Sequence, residues 1–81
     1  SPWVIEQSQH AAERLLAIEG LSDGERLERA HLQFFGRLPT PAERRLAEQY
    51  LAAATDEADR IQVWSELCHV MIASIDFRYL R

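Results

Sequence analysis

Two helix-start signals of the same design divide this chain and limit what it can fold into. Ser22-Asp23-Gly24-Glu25 and Thr40-Pro41-Ala42-Glu43 both have the spacing of a capping box. In that motif a hydroxyl and a carboxylate three residues later each satisfy a backbone group that would otherwise lack a partner at a helix start. Gly20 and Gly36 precede the two boxes, and glycine suits the left-handed conformation that commonly ends a helix. Pro41 strengthens the second start, because the amide hydrogen it lacks would have had no acceptor in the first turn. Stops and starts therefore alternate along the chain, as in helices joined by short loops.

Apolar spacing fills in the helices between these marks. Val4, Ser8, Ala11, Ala12, Leu15 and Ile18 define a first helix, with Pro2 acceptable in its first turn. The second carries Leu27, Ala30, His31, Phe34 and Phe35 and stops at Gly36. The third is expected from Pro41 to about Ala54, with Leu46, Tyr50, Leu51 and Ala54 as its apolar positions. Thr55-Asp56-Glu57 supplies the next cap and an acidic first turn that complements the helix dipole. The fourth helix, with Ile61, Trp64, Leu67, Cys68, Met71, Ile72 and Ile75, is the longest and most apolar and is expected to be the core helix. The fold expected is all-α, a compact four-helix bundle-like domain with short loops, forming a single domain over residues 1–81.

Size and charge narrow the function classes. A chain of 81 residues buries only about 60 to 65% of its unfolded surface, which leaves little material for an enclosed catalytic cavity. The net charge is −4 and all nine basic residues are arginine. That balance argues against a nucleic-acid partner, since binding a phosphate backbone rests on a clustered basic excess. Arg44 and Arg45 are adjacent, but Glu43 and Glu48 flank them. No apolar run reaches the length of a membrane span. The single cysteine, Cys68, excludes an internal disulfide and reads as a buried structural thiol. A start at Ser1 leads us to expect a processed or excised piece.

Residues 36–43, Gly-Arg-Leu-Pro-Thr-Pro-Ala-Glu, look most like a ligand-gripping loop. A phosphate loop, however, brings several glycines and a lysine and normally follows a strand. This stretch has one glycine, no lysine and a helix before it. Gly36, Arg37, Pro39, Thr40, Pro41 and Glu43 are therefore read as a structural motif between two helices.

Two Glu-x-x-His pairs, Glu28/His31 and Glu66/His69, have the spacing that four-helix di-iron proteins use. Facing decides against them. His31 falls in the apolar stripe of its helix and Glu28 at its edge, whereas Glu66 and His69 lie opposite Ile61, Trp64, Cys68 and Met71. Glu6, Glu13 and Glu48 also lie off the apolar faces, so these charges read as solvated. His31 reads as a hydrogen-bonded core histidine and His10 as polar surface. Cys68 and His69 point about 100° apart on a helix and make a poor metal pair. Nothing resembles a nucleophile elbow. No catalytic, metal or cofactor-binding residue is expected, and no cofactor.

The chain ends carry the candidate interaction surface. Trp3 falls off the centre of the first apolar stripe, and the closing Ile-Asp-Phe-Arg-Tyr-Leu-Arg places Phe77, Tyr79 and Leu80 close together. Such groups either fold back to complete the core or form a patch covered by the parent protein or by a second copy in a weak homo-oligomer.

Two blocks carry a family resemblance. Residues 25–51, ERLERAHLQFFGRLPTPAERRLAEQYL, resemble a pattern in the large C-terminal domain of unknown function of planctomycete surface-type proteins that also carry cytochrome-c-like domains. In that pattern a helix ends in Leu-Gly-Arg-x-Pro-Thr and the next begins with x-x-Glu. Residues 64–80, WSELCHVMIASIDFRYL, resemble the same family's closing segment, with Met71, Ile72, Ser74, Asp76, Phe77 and Tyr79 at corresponding positions. His31 stands where the family usually has tyrosine, Leu38 where it has proline, and Ala73 and Ile75 where it has asparagines. The resemblance implies a C-terminal piece of a larger exported bacterial protein, periplasmic or at the cell surface, with other domains of that parent as partners.

Three roles follow as expectations. The first is a non-catalytic structural or protein-interaction module. The second is an accessory part of an enzyme or redox assembly whose active groups lie outside the fragment. The third is an adaptor whose acidic face binds a basic partner.

Overall fold

The computed structural model describes the backbone of residues 2–79 and the side chains of residues 2–75. Four helices follow one another: α1 (Pro2–Ala17), α2 (Asp23–Phe35), α3 (Pro41–Ala52) and α4 (Glu57–Tyr79). The fold is all-α and bundle-like. Among the described residues no helix is long and apolar enough to cross a membrane.

Local chemistry sets the boundaries. Ser22 Oγ accepts from the Glu25 amide at 3.1 Å while Glu25 accepts from the Ser22 amide at 2.9 Å, closing the box at the start of α2. Thr40 and Glu43 repeat it at α3, at 3.2 and 2.8 Å. Gly36 ends α2 at φ 70°, its amide donating to the Leu32 carbonyl at 3.1 Å. α3 stops at Ala52 rather than Ala54, because the Ala53 and Ala54 amides turn back to the Tyr50 and Leu51 carbonyls at 3.3 and 3.1 Å. Those three-residue steps tighten the last turn and end the α-helical ladder.

α4 packs against all three other helices, most extensively against α1. Trp64 and Cys68 are fully buried with Ala12 and Ala30, and Leu27, Ala11, Leu15, Ala47 and Met71 complete the cluster. Alanines on α1, α2 and α3 let the helix axes come close around the one large indole. Burying a side chain such as Leu27 contributes about 1.5–3 kcal/mol. Ser8 is the polar residue on the buried side of α1, and its hydroxyl donates to the Val4 carbonyl at 2.6 Å.

The apolar face of α3 differs from the expected one. Leu46 and Tyr50 are exposed and Ala47 is the buried residue, with Leu51 half-buried. The helix lies with the alanine at position 47 toward the bundle, which permits close approach and turns Leu46 and Tyr50 to the rim. Ile61 is also exposed, because it sits one turn before Trp64, past the last core layer.

A polar frame ties the helix ends together. Arg26 on α2 donates to the Leu15 and Ile18 carbonyls at 3.1 and 3.2 Å, satisfying groups that the end of α1 leaves free. Arg60 on α4 grips both oxygens of Asp23 at 3.0 and 3.1 Å. That hydrogen-bonded guanidinium, with help from Arg26, holds the Asp23 carboxyl below its usual range against the opposing effect of burial.

Candidate functional site

The residues at 36–43 turn inward on themselves. Arg37 donates to both carboxylate oxygens of Glu43, at 2.7 and 2.9 Å, and to the Leu38 carbonyl at 3.1 Å. Its guanidinium also sits 5.2 Å from the centre of the Phe35 ring. The hydrogen-bonded Arg37, followed by the Thr40 amide, holds Glu43 down to about pKa 2. Pro39 is buried and Pro41 occupies the start of α3. The strong polar groups of the stretch thus serve each other, and the loop offers no vacant cradle.

What the loop does is aim Glu43 at the edge of a groove. α3 contributes Glu43, Leu46, Ala47 and Tyr50, α4 contributes Glu66, Leu67, Val70 and Met71, and α2 contributes Leu27 and His31 to a space of about 280 Å³. A second, more open depression of about 500 Å³ continues from Leu46, Tyr50 and Glu66 toward Ala53, Asp59 and Val63. Leu46 and Tyr50, at 70% and 48% exposure, line both spaces, and Val70, at 68%, lines the first.

Glu66 occupies the centre of this groove. It lies off the core stripe of α4, as its spacing predicts, yet α3 passes over that side and leaves it half-buried. The Tyr50 hydroxyl donates to one Glu66 oxygen and the Gln62 amide to the other, the latter at 2.9 Å. The tyrosine bond, then the glutamine bond, lowers the Glu66 pKa, and the same contact raises that of Tyr50. Glu66 therefore stays ionised at neutral pH, and its hydrogen-bond donors among the described residues are neutral. Asp59 is similarly held low by Thr55 and the Asp56 amide.

His31 closes the inner end. Its Nδ1 lies 2.9 Å from the Leu27 carbonyl. A carbonyl only accepts, so Nδ1 carries the hydrogen and Nε2 points toward Glu43 at 3.9 Å. Phe35 meets the imidazole edge-on with centroids 5.5 Å apart.

The Glu-x-x-His pairs do not converge. Glu28 bonds Arg44 at 3.1 Å, Glu66 bonds Tyr50 and Gln62, and His69 is exposed. Among the described residues no group of three His, Cys, Asp or Glu side chains is placed to hold a metal ion. Cys68 is enclosed in the core, where burial pushes its thiol up to about pKa 11. The described groove-lining residues include no Ser, Thr, Cys, Lys or Arg. Such a surface offers apolar contact and carboxylate acceptors.

The candidate residues at the chain ends are only partly placed. Trp3 is 60% exposed and borders a depression of about 300 Å³ with Phe34, Ile72 and Ile75. The side chains of Phe77, Tyr79 and Leu80 lie outside the described residues. Sequence spacing did not reveal the Arg37–Glu43 pair or the groove. The six-residue interval from Arg37 to Glu43 across a proline turn was the one local signal for the former.

Comparison of the chain with family models, curated proteins and solved structures finds no match.

Proposed function

We propose that this domain is a non-catalytic interaction module that docks a partner along the α3–α4 groove. The observation that carries the reading is the apolar rim: Leu46 and Val70 flank the groove at 70% and 68% exposure. Neighbouring exposed apolar groups that border a concave surface mark contact sites more often than chance surface composition does. Two groups with catalytic potential are otherwise engaged, Cys68 by burial and Glu43 by Arg37. The two sequence blocks at 25–51 and 64–80 support placing the module in the C-terminal part of a larger exported bacterial protein of the planctomycete surface type. Other domains of that parent are then its natural partners.

Selection of helical peptides from a displayed library tests the docking reading. Peptides retained by the native chain and released by the Leu46→Asp/Val70→Asp variant are expected. Both substitutions lie at exposed positions, so circular dichroism should show the helices unchanged. A library yielding no binders, or binders indifferent to the variant, would contradict docking at this groove.

A further inference from the structure

We propose that the groove takes a basic amphipathic helix, its apolar face against Leu46, Tyr50 and Val70 and an arginine or lysine against Glu66. This rests on the docking reading above and adds the chemistry of the occupant.

Length points to a helix. The groove follows α4 from Asp59 to Val70, which at 1.5 Å per residue is about 16 Å, or roughly three turns. Three turns present anchors at i, i+3 or i+4, and i+7, the pattern with which an amphipathic helix fills a groove between two others.

Charge points to a basic one. Glu43, Glu66 and Asp59 line the two halves, and no arginine lines either among the described residues. Glu43 already has Arg37. Among the described residues the carboxylates of Glu66 and Asp59 accept only from neutral donors, and neither forms an ion pair. Glu66 is the more telling, because its carboxylate stands among the groove-lining apolar groups of Leu67, Val70 and Tyr50. Covering the groove with a neutral apolar face would strip water from that carboxylate without replacement, which is costly. A guanidinium or ammonium on the incoming helix replaces the lost water with a charge-assisted hydrogen bond. An acidic helix adds repulsion to the desolvation. The overall charge of −4 favours the same sign of partner during approach.

Three fluorescein-labelled peptides of about 18 residues, long enough to hold a helix, provide the probe. They share one leucine face and carry arginine, glutamine or glutamate at the flanking positions. Fluorescence anisotropy with the native chain should rank them arginine, glutamine, glutamate, with the arginine peptide roughly tenfold tighter than the glutamine one and weakened by added salt. Glu66→Gln keeps an acceptor for the Tyr50 hydroxyl, so the fold is retained, and it should cut arginine-peptide affinity roughly fivefold while leaving the glutamine peptide unaffected or improved. Trp3→Ser, on the far depression, should change neither. Equal binding of all three peptides would overturn the charge inference and leave docking intact. No binding by any peptide would overturn both. Self-association of the native chain that Val70→Asp abolishes would assign the groove to a second copy and overturn the proposal.

Discussion

Arg37 clasps both oxygens of Glu43, at 2.7 and 2.9 Å, across the turn that joins α2 to α3. The same carboxylate accepts from the Thr40 amide at 2.8 Å, so one side chain closes the helix cap and anchors the loop. The glutamate that caps α3 also forms the end wall of the groove, which couples the turn to the surface proposed for docking.

This pair sets an acid limit. Glu43 has its pKa lowered from 4.5 to about 2, so the stabilisation it brings is complete above pH 4.5 and is lost as pH falls through about 2. Both partners are partly exposed, at 43% and 36%, so solvent screening keeps the contribution small. Glu43→Gln should lower stability slightly at pH 7 and show a smaller difference from the native chain near pH 2, by urea unfolding at each pH. An undiminished difference at pH 2 would show that the charge is irrelevant.

Substitution at the turn separates two costs. Thr40→Ala removes the cap and should cost roughly 1 kcal/mol. Gly36→Ala meets no neighbouring atom within 4 Å, so its expected loss of about 1–2 kcal/mol comes from the positive φ alone. Thermal unfolding of the two variants reads both, and an unaltered melting temperature in Gly36→Ala would refute a left-handed Gly36.

The core should be intolerant at Trp64. It is fully buried at the meeting of α4 with the other helices, and Trp64→Ala should cost about 3–5 kcal/mol through the cavity left. Its Nε1 has no hydrogen-bond partner among the described residues. Trp64→Phe removes that donor together with some volume, so it should cost clearly less than the alanine variant. Equal losses would show that packing around the ring is not what holds the helices.

Cys68 should be silent in the folded chain. With no exposed surface and a pKa near 11, its thiol should react with an alkylating reagent at neutral pH only after unfolding in urea. Rapid modification of the native chain would mean that α4 opens locally.

Helix boundaries were legible because caps are local chemistry. Ser22 with Glu25 and Thr40 with Glu43 act within four residues, and Gly36 acts alone. The orientation of α3 was less legible, since Leu46, Ala47, Tyr50 and Leu51 provide apolar groups over much of its surface. Which of them faces inward depends on how closely the axes approach, and the close approach favoured Ala47. Arg26 at the end of α1 and Arg60 on Asp23 are contacts between helices, which spacing along one helix does not encode. The groove was hidden for the same reason: Glu66 reads as an isolated surface charge until α3 is laid beside it.

Backbone amide shifts measured by NMR during titration with the arginine-flanked peptide test the central claim most directly. The account predicts that the largest changes fall at Leu46, Tyr50, Glu66 and Val70, with little change at Trp3, Phe34 and Ile72. Saturable binding with the largest changes at Trp3, Phe34 and Ile72 would place docking on the opposite depression and contradict it.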